Sequence, residues 1–428
     1  MEITKNLCTI IKKQQVFSCY NGWEIEKERV RSSIFSPFNS KDNQSLLLKG
    51  LLCIGAFVMR LVNVTSLSEG MVLHKPVIDH NGRALLQSGM MLNERLIQRL
   101  HQLEIPFVYI EDERTEDIEI QVGVPSALYQ KAYEEVKQNF SYLQTTKQAK
   151  KVASLDRISY TLLGTIRSLI SHLKESKEAL SLLTNIMAFD EYLFRHSLNV
   201  TIYAIAVANE LKLNTKEIEM IGLGALLHDL GKVMVPHEIL SKRGKLTEKE
   251  FNEVKKHSEK GFEWLRSVHS IPFTVAHCAY QHHERLDGTG YPRQLKEGEI
   301  HDFAKIISIC DVFDALTTNR SYRNAMLPHE AIELLYAGCG TQFETKFVEV
   351  FKKTVALYPP GMPVILNDGR KGMVSRIKKQ MSERPIVRIL EEDGIEVSDP
   401  YSLDLSKHLS IMIESCELST IGRGFKRE

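Results

Sequence analysis

Residues 216–232, with the sequence KEIEMIGLGALLHDLGK, decide the fold of this chain. They predict a largely apolar helix, with Leu226 and Leu227 in the core, that ends in the polar residues His228 and Asp229. Neighbouring residues lie about 100° apart around a helix, so this pair can face one cation only if that end of the helix is buried. Taken alone, the pair indicates no more than a capping or surface role.

Other imidazoles and carboxylates stand at the ends of apolar helical segments or within them. These further candidates are His196, His257, His282, His283 and Asp311. Such groups are costly to bury unless they bind something. Imidazole with carboxylate suits Fe, Mn or Zn, and the lack of a thiolate among the candidates favours Fe or Mn. Together with His228 and Asp229 they are too many for one ion with an open position, so the sequence predicts a two-metal centre.

Three segments, in this order, resemble the HD-GYP family of HD metal-dependent phosphohydrolases: HDLGK at 228–232, HHERLDGTGYP at 282–292 and DVFDALTTNRSYR at 311–323. Each segment alone is a weak signal, whereas the three together are specific. The resemblance runs from about Asn185 to Leu357. It implies an all-α bundle of helices and the hydrolysis of cyclic di-guanosine monophosphate (c-di-GMP).

The resemblance also implies roles for individual residues. The metal ligands it implies are His228, Asp229, His257, His282, His283 and Asp311, with Asp229 bridging two ions. His196 matches a histidine at the edge of the metal site, and Lys232 matches a lysine near the scissile phosphate. The catalytic residues that the resemblance implies are Lys232 and Asp229. The positions that match substrate-binding residues are Lys232, Gly290, Tyr291, Arg320 and Arg323. Members with three metals carry a glutamate where this chain has Tyr192, so two ions are expected.

The residue types are suited to phosphodiester hydrolysis independently of the resemblance. Two metals about 3.5–4 Å apart can hold a hydroxide and bind the phosphate oxygens, and Lys232 can stabilise the developing negative charge. Arg320 and Arg323 share a face if their segment is helical, and guanidinium groups suit a second phosphate. Gly290, with Gly288, lets a loop pass close to the ligand, where Tyr291 can stack on a purine.

Each of these assignments has a structural alternative. Lys232 can neutralise a helix C-terminus, and the glycines at 288 and 290 can form an ordinary turn. Arg320 and Arg323 can pair with Asp311 or Asp314. Asp314 itself suits a supporting or structural role better than that of a ligand.

Composition limits the class of protein. The chain has 428 residues, of which 43% are hydrophobic and 25% charged, and a formal net charge of +1. This balance argues against a nucleic-acid polymer as partner, but it allows a local basic pocket for a small phosphate ligand. The longest apolar stretch, 46–58, is too short to span a membrane. Seven scattered cysteines without a CxxC motif indicate a reduced, cytoplasmic protein.

The sequence predicts a mainly α fold in five segments. Residues 1–58 are an extension without an assigned role, and 59–117 form a small α+β module with an Asn-Gly hairpin turn at 79–83 and Asn93 as a helix cap. Residues 118–183 are helical, either a connector or a stalk for a homodimer. Residues 184–357 are the HD-type catalytic domain, and 358–416 form a small antiparallel β tail.

Three functions are compatible with these observations. The first is a metal-dependent phosphodiesterase that hydrolyses c-di-GMP to linear pGpG, GMP or both, and so lowers a bacterial second messenger. The second is a related HD phosphohydrolase that acts on another cyclic dinucleotide. The third is a non-catalytic c-di-GMP sensor, which would require lost metal ligands, and none is visibly lost.

Overall fold

The structure is a computed structural model. The residues that it describes are 59–78, 84–103, 105, 107–112, 124–145, 151–175, 180, 192–240, 242, 244–318, 326, 328–378 and 381–416. The extension predicted for residues 1–58 lies outside these ranges, and so do the hairpin turn at 79–83 and both Arg320 and Arg323. Tyr192 is placed as a helical residue, but its side chain is not among the described ones.

A small α+β module comes first. Its elements are β1 (Met59–Asn63), β2 (Val77–Ile78), β3 (Ala84–Leu86), α1 (Glu94–Gln102) and β4 (Phe107–Glu111). Strand β1 pairs with β4, and β2 with β3, both antiparallel. The side chain of Asn93 accepts a hydrogen bond from the backbone N–H of Leu96 at 3.0 Å, which confirms the predicted cap of α1.

Helices dominate the middle of the chain. They are α2 (Ser126–Thr145), α3 (Lys151–Glu175), α4 (Tyr192–Glu210), α5 (Thr215–Leu227), α6 (His237–Leu240), α7 (Glu248–Lys255), α8 (His257–Arg266), α9 (Phe273–Gln281), α10 (Asp302–Thr317), α11 (Pro328–Ala337) and α12 (Thr345–Thr354). Helix α5 begins with a capping box of Asn214 and Glu217, and α7 with one of Thr247 and Glu250, so local sequence defines both starts.

Helices α2 and α3 pack into the same hydrophobic core as the helices that follow. Leu155 and Leu162 of α3 are fully buried in one cluster with Leu223 and Leu226 of α5. The apolar faces of the segment predicted as a connector or stalk are therefore largely used within the chain, because they cover the helical domain.

Five strands form the tail. They are β5 (Pro363–Leu366), β6 (Lys371–Arg376), β7 (Ile386–Glu392), β8 (Ile395–Asp404) and β9 (Ile413–Ser415), in the spatial order β8-β7-β6-β5-β9, with all neighbours antiparallel. These strands and the helices confirm the predicted fold class.

The tail and the module share a core. Tyr109 of β4 is buried in one cluster with Met362, Val364 and Val387 of the tail. Among the described helices, none combines the length and the apolar character needed to cross a membrane.

Candidate metal centre

The end of α5 delivers the first two polar residues of the site. His228 and Asp229 follow Leu227 directly, and a 3₁₀ helix at Leu230–Met234 continues the chain. Gly231 lies in that turn. A Cβ atom there would come within 1.9 Å of the carbonyl oxygen of His257, so only glycine allows the turn to approach the start of α8 this closely. The close approach brings Asp229 next to His257.

Three other helices supply the remaining candidates. His282 and His283 follow the end of α9, Asp311 lies within α10, and His196 lies in the second turn of α4. All are buried except His283, which is partly exposed. The structure brings all seven predicted residues together as two groups of potential ligand atoms. One group is Asp229, His257, His282 and His283, and the other is His196, His228 and Asp311.

The two carboxylates connect these groups. Oδ1 of Asp229 lies 3.3 Å from Nε2 of His257, and its Oδ2 lies 3.4 Å from Nε2 of His228. Asp311 behaves similarly, because its Oδ1 lies 3.0 Å from Nε2 of His196 and its Oδ2 lies 3.9 Å from Nδ1 of His283. The geometry thus suits a bridging role not only for Asp229, as predicted, but also for Asp311. His196, expected at the edge, is a full member of one group.

Backbone carbonyls determine the tautomers of three imidazoles. Nδ1 of His228 lies 2.6 Å from the carbonyl oxygen of Ala225, Nδ1 of His257 lies 2.7 Å from that of Val254, and Nδ1 of His282 lies 3.0 Å from that of Ala279. A carbonyl oxygen only accepts, so each Nδ1 must carry the proton. Each Nε2 then points a lone pair into the centre.

These lone pairs face one another without a donor between them. Nε2 of His257 and Nε2 of His282 are only 3.3 Å apart. Within the described part of the chain, Nε2 of His228 and Oδ1 of Asp229 are buried and have no hydrogen-bond partner. Uncompensated acceptors of this kind are costly to bury. The residues present therefore fit divalent cations, which would attract every one of these atoms.

The electrostatics of the site agree with this interpretation. Burial and the neighbouring imidazoles lower the pKa of His282, and burial with His257 lowers that of His283 to about 3, so both rings stay neutral as metal ligands must. Burial raises the pKa of Asp229, but Lys232 and His228 outweigh burial and hold it well below its usual value. For His196, burial lowers the pKa, yet hydrogen bonds to Asp311 and Asp314 raise it to about 9. A metal ion that binds the His196 ring therefore competes with a proton.

Lys232 lies at the rim of the centre. Its Nζ donates to Oδ2 of Asp229 at 2.5 Å, and its side chain is partly exposed. In the structure its ammonium group is therefore paired with a carboxylate of the site.

The loop after His283 is fastened by a buried carboxylate that sequence reasoning missed. Glu284 is only 3% exposed, and its two oxygens accept hydrogen bonds from the backbone N–H groups of Arg293 (2.7 Å) and Leu295 (2.9 Å). Its signal in the sequence was a carboxylate directly after the histidine pair. Gly290 belongs to the same close packing, since a Cβ there would lie 2.4 Å from the backbone nitrogen of Arg285.

The fastened loop places Tyr291 against a candidate ligand. The tyrosine ring stacks on the ring of His283, with centroids 4.6 Å apart. The backbone N–H of Tyr291 donates a hydrogen bond to the carbonyl oxygen of His283. Nζ of Lys255 lies 5.5 Å from the centre of the tyrosine ring. Tyr291 thus supports His283, a contact that the sequence did not predict.

Asp314 supports His196, as the sequence suggested for this residue. Its Oδ2 lies 2.7 Å from Nδ1 of His196, and its Oδ1 accepts from Nδ2 of Asn199 at 2.8 Å. Asn199 was missed, although its place three residues after His196 on one helix face was a usable signal.

Comparisons with known proteins agree with this architecture. Residues 170–346 match a family model described as an HD domain, and residues 363–418 match one described as a KOW domain associated with HD domain. The first match begins inside α3, upstream of the boundary at 184 that the sequence predicted.

Three curated relatives illustrate the similarity. The chain is 39% identical over 196 residues to cyclic di-GMP phosphodiesterase PA4108 of Pseudomonas aeruginosa, covering 46% of this chain and 47% of the relative. It is 41% identical over 144 residues to the cyclic di-GMP phosphodiesterase response regulator RpfG of Xanthomonas campestris pv. campestris, covering 33% and 38%. It is 37% identical over 169 residues to 3'3'-cGAMP-specific phosphodiesterase 3 of Vibrio cholerae, covering 39% and 36%. The matched segments span less than half the length of each relative.

Proposed function

We propose that the helical domain of this chain is of the HD-GYP type and that the protein is a metal-dependent phosphodiesterase that hydrolyses c-di-GMP to linear pGpG, GMP or both. The match of residues 170–346 to an HD domain and the names of two relatives, both cyclic di-GMP phosphodiesterases, support this proposal. The reaction lowers the concentration of a bacterial second messenger. The observation that carries the proposal is the pair of carboxylates, Asp229 and Asp311, each of which faces imidazoles of both groups.

We propose two divalent ions, iron or manganese, as the cofactors. The donors are imidazole nitrogens and carboxylate oxygens, a set that suits these metals. His257, His282 and His283 would hold one ion, and His196 with His228 the other, while Asp229 and Asp311 face both groups. When bound, such ions lower the pKa of a coordinated water and polarise the phosphate.

The chain's own residues then bind and orient the substrate. Lys232 can turn its ammonium from Asp229 toward the phosphate, because its side chain is partly exposed beside the carboxylate. The loop of Gly290 and Tyr291 lies directly against His283, so we assign it contact with the base or the ribose. Arg320 and Arg323 keep their proposed role as phosphate ligands, on the strength of the sequence alone.

A second substrate deserves the same test. One relative, 37% identical over its matched segment, is named a 3'3'-cGAMP-specific phosphodiesterase, so another cyclic dinucleotide is the alternative. A non-catalytic sensor is the less favoured function, since all seven candidate ligands are present in the two groups. We further propose a cytoplasmic location, because the cysteines are scattered and do not form a disulfide pattern. We also propose a homodimer through residues 118–183, which size-exclusion chromatography with light scattering can test.

Product analysis tests the proposal most directly. The full chain, purified under anaerobic reduction and loaded with Fe²⁺ or Mn²⁺, is incubated with c-di-GMP, 3'3'-cGAMP or cyclic di-AMP, and products are identified by chromatography and mass spectrometry. We expect c-di-GMP to be converted fastest, two metal ions per chain by elemental analysis, and no turnover after chelation. Faster conversion of 3'3'-cGAMP would show that this dinucleotide, and not c-di-GMP, is the substrate. Three fully occupied metal sites per chain would refute the proposed two-ion centre.

A further inference from the structure

A chain of hydrogen bonds leads from the candidate metal centre to helix α2. Nδ1 of His196 lies 2.7 Å from Oδ2 of Asp314, whose Oδ1 accepts from Nδ2 of Asn199 at 2.8 Å. Oδ1 of Asn199 in turn accepts from the hydroxyl of Tyr129 at 2.8 Å. All four side chains are buried, with Asn199 the most exposed at 7%. Three helices, α2, α4 and α10, thus meet in one polar line through an apolar core.

The direction of each bond follows from the groups involved. The carboxylate of Asp314 only accepts, so the amide of Asn199 must present its NH₂ group to it. The amide oxygen then faces α2, where it needs a donor, and the hydroxyl of Tyr129 is that donor. Without the hydroxyl, the amide would have a buried oxygen without a partner and would lose its preference for one orientation.

The same reasoning extends to the imidazole. With Asp314 held by Asn199, Nδ1 of His196 carries the proton toward Asp314. Nε2 lies 3.0 Å from Asp311 and 3.7 Å from Asp229, and its lone pair is available to a metal ion that displaces the competing proton. Partners of this kind orient a ligating histidine and set its tautomer.

We propose that Tyr129 is a positioning residue of the metal centre, acting through Asn199 and Asp314 on His196. Its catalytic consequence rests on the proposed function, whereas its effect on metal binding does not. Tyr129 lies outside residues 170–346, which match the HD domain, so a residue of the predicted connector completes the site. An edge-to-face contact between Phe140 of α2 and Phe194 of α4, with centroids 5.9 Å apart, holds the same two helices together. Any movement of α2 relative to α4 therefore reaches His196.

A double-mutant cycle on metal affinity tests this role. Tyr129→Phe removes only the hydroxyl and keeps the buried ring, and Asn199→Ala removes the amide that it holds. Mn²⁺ binding to the substrate-free full chain is titrated by electron paramagnetic resonance. Tyr109→Phe is the matched control, because it removes another buried tyrosine hydroxyl, one that belongs to a different hydrophobic cluster and has no hydrogen-bond partner in the described ranges. Urea unfolding checks that each variant is folded.

We expect Tyr129→Phe to weaken the binding of the Mn²⁺ ion that His196 would hold by about tenfold, the lower end of the effect of removing an outer partner of a ligating histidine. In the Asn199→Ala background it should have no further effect, because the path through the amide is already broken. The control should bind Mn²⁺ as the parent chain does. For c-di-GMP hydrolysis, kcat should fall and KM stay unchanged.

Other outcomes separate the two proposals. Unchanged Mn²⁺ affinity in Tyr129→Phe, or equal effects in both backgrounds, would overturn the positioning role. A parent chain that binds two Mn²⁺ ions without hydrolysing c-di-GMP would refute the proposed function alone, and the affinities would still decide the role of Tyr129. A parent chain that binds no Mn²⁺ would refute both.

Discussion

Gly231→Ala is a small substitution with a large expected effect on the metal centre. The added Cβ would lie 1.9 Å from the carbonyl oxygen of His257 and 2.8 Å from the backbone nitrogen of Gly261. Such contacts essentially never come below 3.0 Å, so the 3₁₀ turn and the start of α8 must separate by about 1 Å. His257 is the first residue of α8, and it would move away from Asp229 by a similar distance. Metal–ligand distances tolerate deviations of only about 0.2 Å from their usual values.

We therefore expect the substitution to impair the ion held by His257. Elemental analysis of the purified chain should show a fall from two metals to about one. The hydrolysis of c-di-GMP should slow by about 100-fold, the order of effect of a 1 Å misplacement. Strain in the packed interface should lower the free energy of unfolding by about 1–3 kcal/mol, measured by urea denaturation.

Gly164→Ala provides the matched control. Gly164 lies in α3, and a Cβ there meets no other atom within 4 Å. The same change should leave metal content and rate unaltered and raise the free energy of unfolding by up to about 1 kcal/mol, because alanine favours a helix. If Gly231→Ala keeps both metals and the parent rate, the contact with His257 does not position the site, and our account of the turn is wrong.

Three further predictions concern single side chains. Asp229→Ala should abolish hydrolysis and most metal binding, because its two oxygens face both groups of imidazoles; turnover with full metal occupancy would contradict the assignment. Glu284→Gln should raise KM several-fold with unchanged metal content, because an amide cannot accept from both backbone N–H groups of the loop, and the exposed Glu297→Gln is its control; an unchanged KM would contradict it. Tyr109→Phe should raise the free energy of unfolding by about 1 kcal/mol in urea denaturation, since its buried hydroxyl has no partner among the described residues; a loss of stability would reveal one.

The candidate metal centre was predictable because its chemistry is visible residue by residue. Imidazoles and carboxylates within or at the ends of apolar helices are unusual at any spacing, and all seven candidates meet in the structure. The function of the loop was less accessible. That Tyr291 packs on His283 depends on how Glu284 folds the loop back, and this path is not encoded in a local pattern.

Contacts between distant segments limited the sequence analysis most. The bond from Tyr129 to Asn199 joins residues 70 positions apart and requires a particular crossing of α2 and α4. Helix α3 was predicted as part of a connector because its exposed face is polar. Its buried residues Leu155, Leu162 and Ile166 nevertheless have the helical spacing of a core element. The sequence did not show which helices they pack against, because those helices are distant along the chain. The roles of Arg320 and Arg323 stay predictions.

The shared core of module and tail also bears on the order in which the chain folds. Tyr109 and Met362 meet in this core although about 250 residues separate them. Closing a flexible loop of that length costs about 5 kcal/mol of chain entropy. Helices form through local contacts and fold faster, so collapse of the helical domain shortens the loop before the two ends meet. Because Cys416 belongs to the same core, a chain leaving the ribosome cannot complete this core until synthesis has passed residue 416.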